Sequence, residues 1–452
     1  MLLSFVEDMD SSTARLELHR APWRVLASTR FGFPELKRST SGTSLVDGEV
    51  VTADSYGNRE IQLRLQVQKS GDPDAALAEL QKLHRELNRP RNMLKYQPAS
   101  TPVWFRTFRA APESLEIYNA GDYFEVEVNV PAEPFAYGAR EVAVNNATVS
   151  MNPHAATNPM YVDLTDIKGD VETPIQIAVS GVVFPGFTSA IAIRRRGNPA
   201  NVPFLLEAED MTPPTGANTS LQSNSSSMSG SGSNYTATSF GNPENRTRLE
   251  TSAFPDAASA DARGFYRVYG RLGRSQSSSG TIKVQLNANK PVTLPNTTNT
   301  QMIELGEVSV PGGMDPVFDG PSGKVLDVQG KGIDFKASRE SGSSWLLCDC
   351  FLFFPADSES DCFALVTWPE QNTGVHVFDN YSGCIYNLDS NGNIRYSKVK
   401  HEGLPLMVSP GVTNRMFFVR KVDGQADAIS DSFSVSVGYW PRYLYVAPVE
   451  DD

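Results

Sequence analysis

The sequence has few of the residues from which metal centres and catalytic sites are most often built. Only 4 cysteines and 5 histidines are spread over 452 residues, which is not the dense cysteine framework of a small secreted domain. The chain contains no HExxH zinc motif, no GxSxG nucleophile elbow and no complete phosphate-binding loop. We therefore expect a protein without catalytic activity, cofactor or bound metal.

Long apolar runs and an excess of positive charge are missing as well. No stretch approaches the roughly 18 consecutive apolar residues of a membrane-spanning helix, so we expect no membrane insertion. The formal net charge of -12 disfavours specific nucleic-acid binding, which needs a basic surface to neutralise phosphates. The opening residues lack the basic and apolar regions of a signal peptide. This predicts synthesis in a cytoplasm without export by the usual route.

The four cysteines allow two interpretations. Cys348 and Cys350 are two residues apart on a predicted strand, so both thiols point to one face. Together with Cys362 and Cys384 they could bind zinc. Their spacing is not C-x-x-C and their surroundings are apolar, which favours buried core thiols. The polar stretch within residues 386–396 has its glycine at the wrong position for a calcium loop, so we interpret it as a β-hairpin with an Asn-Gly turn.

The N-terminal third has the clearest secondary-structure pattern. Strict alternation of apolar and polar residues over 61–68 predicts a half-buried strand. An apolar stripe at helical spacing over 73–88, preceded by an aspartate and a proline, predicts a helix. Further alternation predicts strands over 103–108 and 124–130. Residues 1–146 are therefore predicted to form a small α+β domain with an antiparallel sheet and one covering helix.

The rest of the chain is typical of mainly β structure. We interpret the polar stretch 147–160 as a linker and 161–452 as many short strands separated by turns. One elaborated jelly-roll sandwich is favoured, and two sandwiches divided near 312–334 are the alternative. The apolar run 345–354 predicts a central strand buried on both faces. The Ser-rich stretch 217–245 is predicted to be a flexible loop.

Aromatic residues of the C-terminal region suggest a binding role. Sugars pack their C–H faces on flat aromatic rings, and sandwich domains often present such platforms. Trp368, Tyr439 and Trp440 are the candidates for a glycan platform. The alternative is that all three rings pack in the core.

The N-terminal third also carries an ordered series of short sequences. Its members are Gly57-Asn58-Arg59-Glu60-Ile61-Gln62-Leu63, the helix over 73–88, Leu87-Asn88-Arg89-Pro90-Arg91-Asn92, Val103-Trp104-Phe105-Arg106-Thr107 and Pro131-Ala132-Glu133-Pro134-Phe135-Ala136-Tyr137-Gly138. A looser continuation runs through Gly169 to Pro174 and Tyr439 to Leu444. The ordered series resembles that of siphophage distal tail proteins, most of all the minor tail proteins of phages that infect actinobacteria.

This resemblance implies a structural component of the virion tail tip. In that family an N-terminal belt domain forms a hexameric ring, which would be residues 1–146 here. The ring joins the tail tube protein to the tail-associated hub protein and surrounds the channel for the tape measure protein and DNA. The C-terminal domain is a galectin-like or carbohydrate-binding-like sandwich. A host-surface glycan-binding adsorption protein is the alternative function.

Overall fold

The structure is a computed structural model. The described residues are 2–11, 13–42, 49–68, 72–117, 123–150, 161–181, 188–194, 205–207, 219–222, 234–237, 247–250, 264–274, 280–286, 289–296, 301–310, 317–319, 324–326, 334–339, 346–355, 361–367, 374–389, 391–396, 401–403, 405–421 and 432–445.

One α-helix and 37 strands make up the regular structure of the described residues. In chain order they are β1 Leu2–Val6, β2 Ala14–Glu17, β3 Trp23–Val25, β4 Arg30–Phe31, β5 Leu36–Gly42, β6 Glu49–Tyr56, β7 Arg59–Gln68, α1 Pro73–Leu87, β8 Arg91–Gln97, β9 Val103–Phe108, β10 Pro112–Ile117, β11 Tyr123–Ala132, β12 Ala136–Tyr137, β13 Glu141–Ser150, β14 Tyr161–Leu164, β15 Thr173–Ser180, β16 Thr188–Arg194, β17 Leu205–Glu207, β18 Thr219–Gln222, β19 Asn234–Ala237, β20 Thr247–Glu250, β21 Gly264–Arg274, β22 Ile282–Leu286, β23 Val292–Thr293, β24 Gln301–Val310, β25 Val317–Asp319, β26 Lys324–Leu326, β27 Asp334–Arg339, β28 Leu346–Pro355, β29 Asp361–Thr367, β30 Val375–Asp379, β31 Cys384–Leu388, β32 Ile394–Tyr396, β33 His401–Gly403, β34 Met407–Val408, β35 Asn414–Lys421, β36 Ser432–Tyr439 and β37 Arg442–Tyr443.

The chain folds into two compact units, which are not the contiguous domains predicted from sequence. Unit 1 combines Met1–Glu141 with Lys168–Thr173 and Tyr439–Asp452, and unit 2 combines Val142–Ile167 with Pro174–Gly438. Unit 2 is thus an insertion in the sequence of unit 1. The chain leaves unit 1, returns to it briefly, and returns a second time near its C-terminus.

Unit 1 contains the predicted antiparallel sheet and the predicted helix. The sheet has the main order β2-β1-β8-β9-β11-β7-β3, with β4, β10, β12 and β37 joined to its sides. Strands β7 and β11 pair over their full lengths, from Arg59 opposite Ala132 to Gln68 opposite Tyr123. Their apolar residues face one way and form a core with β1, β8 and β9, as the period of two predicts.

Helix α1 covers the apolar face of this sheet. The Asp72 side chain accepts hydrogen bonds from the N–H groups of Asp74 and Ala75, and Pro73 occupies the first turn, where no N–H is needed. The helix buries Ala76, Leu83 and Leu87 in the same core as β7 and β11. The prediction of a helix over 73–88 is confirmed to within one residue.

Unit 2 is mainly β and contains two groups of sheets. The first group has the sheets β13-β36-β15-β30-β31-β32 and β14-β35-β16-β29-β33, and the second has β18-β19-β28-β21-β24 and β20-β27-β22-β23. All strands of the second group fall between β16 and β29. The two sheets of the second group share one apolar core, formed by residues of β21, β22, β24, β27 and β28. The single elaborated sandwich favoured by the sequence is therefore replaced by two nested groups.

Three smaller expectations about this region have different outcomes. Strand β28 is fully buried at Cys348, Asp349 and Cys350, which confirms a central strand. The prediction of a linker over 147–160 is wrong for 147–150, because these residues belong to strand β13. Residues 151–160 lie outside the described residues. The predicted Ser-rich loop 217–245 contains two strands, since β18 pairs with β19 and β19 pairs with β28.

Candidate functional site

A two-stranded ribbon, the arm, projects from the sheet of unit 1. Strands β5 and β6 pair only with each other among the described strands, from Leu36 opposite Tyr56 to Gly42 opposite Glu49. All described side chains of the arm, at residues 36–40 and 54–56, are exposed on both of its faces. Seven residues of extended chain span about 23 Å. An isolated two-stranded ribbon is marginally stable in water, so the arm is suited to packing against another surface.

Apolar side chains are exposed where the arm begins, and these four residues are named the apolar patch. Their exposed fractions are 70% for Phe33, 48% for Leu36, 37% for Tyr56 and 57% for Tyr445. The Phe33 and Tyr445 rings meet edge to face with centroids 5.8 Å apart. Half of the eight exposed large apolar residues in the described part of the chain lie here. Exposed apolar side chains concentrated in one region are typical of interaction sites.

The second return of the chain, residues 439–445, is named the return segment. It lies in a seat formed by residues 134–138 and 168–173. Strand β37 pairs with β12, with Tyr443 opposite Ala136 and Arg442 opposite Tyr137. The N–H groups of Gly138 and Asp170 donate to the carbonyl oxygens of Pro441 and Arg442, each at 2.8 Å.

Arg59 fastens the return segment to the base of the arm. Its guanidinium donates to the carbonyl oxygen of Pro134 at 2.7 Å and to that of Leu444 at 2.9 Å. It also lies over the Phe105 ring, 5.2 Å from the centroid. Burial lowers the pKa of Arg59 to about 10, because desolvation disfavours the charged form. A buried arginine held by carbonyl oxygens positions the chain that carries those oxygens.

The seat gathers several parts of the residue series that suggested the tail-protein resemblance. Residues 57–63, 131–138, 169–174 and 439–444 are distant in sequence, yet they contact one another here. Arg442 illustrates this convergence, because its guanidinium lies 5.2 Å from the Phe135 ring centroid and 5.5 Å from that of Tyr137. The sequence carried these four signals separately, and the fold brings them together.

The face of β7 and β11 opposite the helix is polar and rich in carboxylates. Glu127 accepts hydrogen bonds from Arg64 at 3.0 Å and from Gln62 at 2.6 Å. Asn129 donates to Glu113 at 2.7 Å, and Glu125 lies opposite Gln66 in the register of the two strands. An open groove of about 370 Å³ adjoins this face and the apolar patch, lined by Arg30, Gly32, Phe33, Glu35, Asn58, Glu60, Gln62 and Asn129.

Two of the three residues predicted for a glycan platform are buried. Tyr439 is 2% exposed and Trp440 is 7% exposed, so neither ring offers a face to a sugar. Both residues belong to the return segment, where the Tyr439 hydroxyl accepts from the N–H of Lys168 at 2.9 Å. The carbonyl oxygen of Trp440 accepts from Thr173 at 2.7 Å. Trp368 lies outside the described residues.

The cysteines follow the core interpretation where they are described. Cys348 and Cys350 are fully buried, and Cys384 is half-buried. Cys362 lies in β29, and its side chain is outside the described set. Within the described residues, no three His, Cys, Asp or Glu side chains are grouped so that they could hold a metal ion. None of the helices there could cross a membrane.

The predicted hairpin over 386–396 is confirmed. Strands β31 and β32 pair from Tyr386 opposite Tyr396 to Leu388 opposite Ile394. The Asp389 carboxylate accepts hydrogen bonds from the N–H groups of Asn391 and Asn393, and Gly392 has φ +78°. The carboxylate therefore stabilises the turn itself, which is the usual role of an aspartate at the start of a turn.

The sequence analysis missed the arm and the role of the return segment. The described side chains of the arm, at 36–40 and 54–56, have no buried face, and so they lack the period-two pattern that reveals a half-buried strand. Asp47-Gly48, a dipeptide typical of hairpin turns, is the one signal that could have indicated it. The return segment has only a two-residue strand, and its partners precede it by about 300 residues, so no local pattern could reveal the pairing.

Comparisons with known proteins give structural neighbours only. No protein-family model and no curated protein matches the chain. One solved structure to which the chain is similar is that of the Dit protein of phage SPP1, described as a paradigm of the hub adsorption apparatus in phages that infect Gram-positive bacteria. It has 11% identity and a TM-score of 0.38, and the match covers 98% of each chain.

Two further neighbours are structures of the phage P2 baseplate in its activated conformation, with Ca and with Sr. They have 11% and 10% identity and a TM-score of 0.28, and each match covers 77% of this chain and 97% of the other. Similarity at this level does not transfer a function, so the proposal below rests on the residues of this chain.

Proposed function

We propose that this chain is a structural, non-enzymatic component of a siphophage tail tip that assembles with copies of itself into a hexameric ring. The ring joins the tail tube protein to the tail-associated hub protein and surrounds the passage for the tape measure protein and DNA. The residue series that unit 1 gathers around the return segment supports this proposal. That series is nearest to the series in minor tail proteins of phages that infect actinobacteria.

The exposed arm is the main support for the proposed self-association. Its described side chains are exposed on both faces, and it begins at the apolar patch. A neighbouring copy would cover surface that water reaches in the single chain. Burial of apolar area contributes about 25 cal/mol per Å². An arm that reaches from one copy to the next gives a head-to-tail interface, and such interfaces form a ring when the rotation between copies closes.

The carboxylate-rich face of β7 and β11 suits the lining of a DNA passage. Glu60, Glu113, Glu125 and Glu127 lie on or beside this face. Its basic residues are Arg64 in β7 and Arg24 and Arg30 in the paired strands β3 and β4, so carboxylates outnumber guanidinium groups by one among these residues. A surface with negative charge does not bind phosphates tightly. DNA would therefore pass without adhering, which agrees with the net charge of -12.

Sedimentation velocity of apolar-patch variants tests the proposal. Replacing Phe33 and Leu36 together by serine removes exposed apolar surface at the start of the arm while leaving the core of unit 1 intact. We expect the associated species to dissociate at concentrations where the parent protein remains assembled. Electron microscopy of tail tubes mixed with each protein then shows whether only the parent caps the tube end.

Leu77→Ser is the matched control. Leu77 is also an exposed leucine of unit 1, at 44%, but it lies on helix α1 away from the arm. This variant should associate and cap tubes as the parent does. Equal association of all three proteins, or a parent that neither associates nor caps tubes, contradicts the proposal.

A further inference from the structure

Unit 1 is completed by residues that follow it in the chain by almost 300 positions. Its first segment ends at Glu141, and the return segment arrives only after unit 2. One residue of the apolar patch, Tyr445, comes from this late segment and packs edge to face on Phe33. The surface proposed for self-association is therefore incomplete in any chain that ends before residue 445.

The return segment uses its backbone groups as a bound peptide strand does. Five hydrogen bonds reach its main chain from the rest of unit 1, in addition to the pairing of β12 with β37. Their donors and acceptors are Thr173 to Trp440 O at 2.7 Å, Gly138 to Pro441 O at 2.8 Å, Asp170 to Arg442 O at 2.8 Å, Arg59 to Leu444 O at 2.9 Å, and Leu444 N–H to the Asp170 carboxylate at 2.8 Å.

Two glycines shape the seat so that this strand can approach. A Cβ atom at Gly169 would lie 2.9 Å from the carbonyl oxygen of Arg442, and Gly169 has φ +121°. A Cβ atom at Gly138 would lie 2.9 Å from the Tyr443 ring. At Gly169 the obstructing atom belongs to the backbone, which cannot move aside as the end of a side chain can. A side chain there would displace the return segment.

The same segment is connected to the arm. Arg59, which holds Leu444, is the first residue of β7 and follows the arm after two residues. The N–H of Gly57, at the end of the arm, donates to the carbonyl oxygen of Glu35 at 2.7 Å, and Tyr56 packs edge to face on Phe135 at 5.4 Å. The base of the arm and the return segment are thus parts of one network of contacts.

We propose that the seat is a peptide-binding groove for the return segment, and that its occupation makes unit 1 competent to self-associate. Until residues 439–445 bind, Arg59 lacks the carbonyl oxygen of Leu444, and the apolar patch lacks Tyr445. A chain still in synthesis, or cut before the return segment, would not join the ring. The inference rests on the proposed self-association and adds the segment that controls it.

Gly169→Ala in the full-length protein tests this inference. Hydrogen exchange is measured on dilute, unassociated protein, and sedimentation measures the association constant of the same sample at higher concentration. We expect faster exchange within 134–138 and 439–445, unchanged exchange in unit 2, and an association constant lower by about tenfold or more.

The control is Gly392→Ala, which also places a side chain at positive φ but has no atom within 4 Å of the added Cβ. It should leave both measurements unchanged. Tyr445→Ser is the second variant, because it removes an exposed ring without disturbing the backbone contacts of the seat. It should weaken association and leave hydrogen exchange in 134–138 unchanged. Ile394→Ser, at a similarly exposed position of unit 2, should change neither association nor this exchange.

Two failures are distinguishable. A parent protein that never associates overturns the proposed function. The second failure is a parent that associates and a Gly169→Ala protein that associates equally well although its return segment exchanges faster. This result overturns only the inference that the return segment governs self-association. Unchanged exchange in Gly169→Ala, or unchanged association in Tyr445→Ser, overturns it as well.

Discussion

Tyr137 lies in the seat of the return segment, and its titration makes the stability of unit 1 depend on pH. Its ring is 1% exposed and its hydroxyl donates to the Glu133 carboxylate. Burial raises the pKa of Tyr137 to about 12, with Arg442 opposing and Glu133 supporting the shift. A phenol whose pKa is raised by folding stabilises the fold fully below its unfolded pKa near 10. That contribution is lost as the pH rises from about 10 to about 12.

The expected loss is about 3 kcal/mol in the free energy of unfolding between these two pH values. The measurement is urea unfolding of the parent protein and of Tyr137→Phe at a series of alkaline pH values. The phenylalanine variant should lose less stability over this range, because it has no proton to release. Identical pH dependence in the two proteins would contradict the assignment of the effect to Tyr137.

A buried ion pair joins β21 to β28 in unit 2. The Arg271 guanidinium lies 2.6 Å from the Asp349 carboxylate, and both side chains are almost fully buried. Removing one partner of such a pair leaves an uncompensated charge in the interior. Asp349→Leu should therefore lower the free energy of unfolding by about 3–5 kcal/mol, as measured by urea unfolding.

The double variant Asp349→Leu with Arg271→Met should recover most of this loss in the free energy of unfolding, since neither charge of the pair then remains in the interior. The exposed pair of Arg38 and Asp54, with side chains 51% and 46% exposed, is the control. Asp54→Ala should cost less than about 1 kcal/mol. A double variant as unstable as the single one would show that packing, rather than the unpaired charge, determines the cost.

At the scale of elements, local sequence patterns predicted the strands and the helix that bury one face. The alternation in β7 and β11 and the stripe of α1 reflect burial of one face, so their bounds follow from sequence. The described side chains of the arm have no such face. Strand β10 was missed for a related reason, because it lies at a sheet edge and pairs only with β11 among described strands. The candidate site therefore consists of the elements that sequence patterns reveal least.

Strands β16 and β29 show how an element pair can carry an insertion. They pair antiparallel along their lengths, with Arg194 directly opposite Asp361. Directly paired residues lie about 5 Å apart, so a two-residue turn can replace everything between them. The second group of sheets occupies that interval and has its own apolar core.

Replacing residues 195–360 by Asn-Gly should therefore leave the first group of sheets and unit 1 folded. We expect the shortened protein to unfold cooperatively and to associate as the parent does, because no residue of the arm or of the apolar patch is removed. Circular dichroism during urea unfolding and sedimentation velocity provide the two measurements. Loss of cooperative unfolding would show that the two groups of sheets depend on each other for stability.

At the scale of the whole molecule, the order of the units could not be predicted from sequence. The mainly β class and the covering helix followed from composition and periodicity. The return of residues 439–445 to unit 1 did not, because strand pairing across more than 300 residues leaves no local signal. Tyr439 and Trp440 show the consequence, since their aromatic character suggested a sugar platform while the fold buries both rings. Glycan binding stays a prediction.

The mass of the purified protein in solution tests the central claim most directly. Light scattering over a concentration series should show a mass that rises from 49.4 kDa to a plateau at six times that value. The same series with Phe33 and Leu36 replaced by serine should remain near the mass of one chain. A parent protein that stays at the mass of one chain at every concentration would contradict a ring built by the arm and the apolar patch.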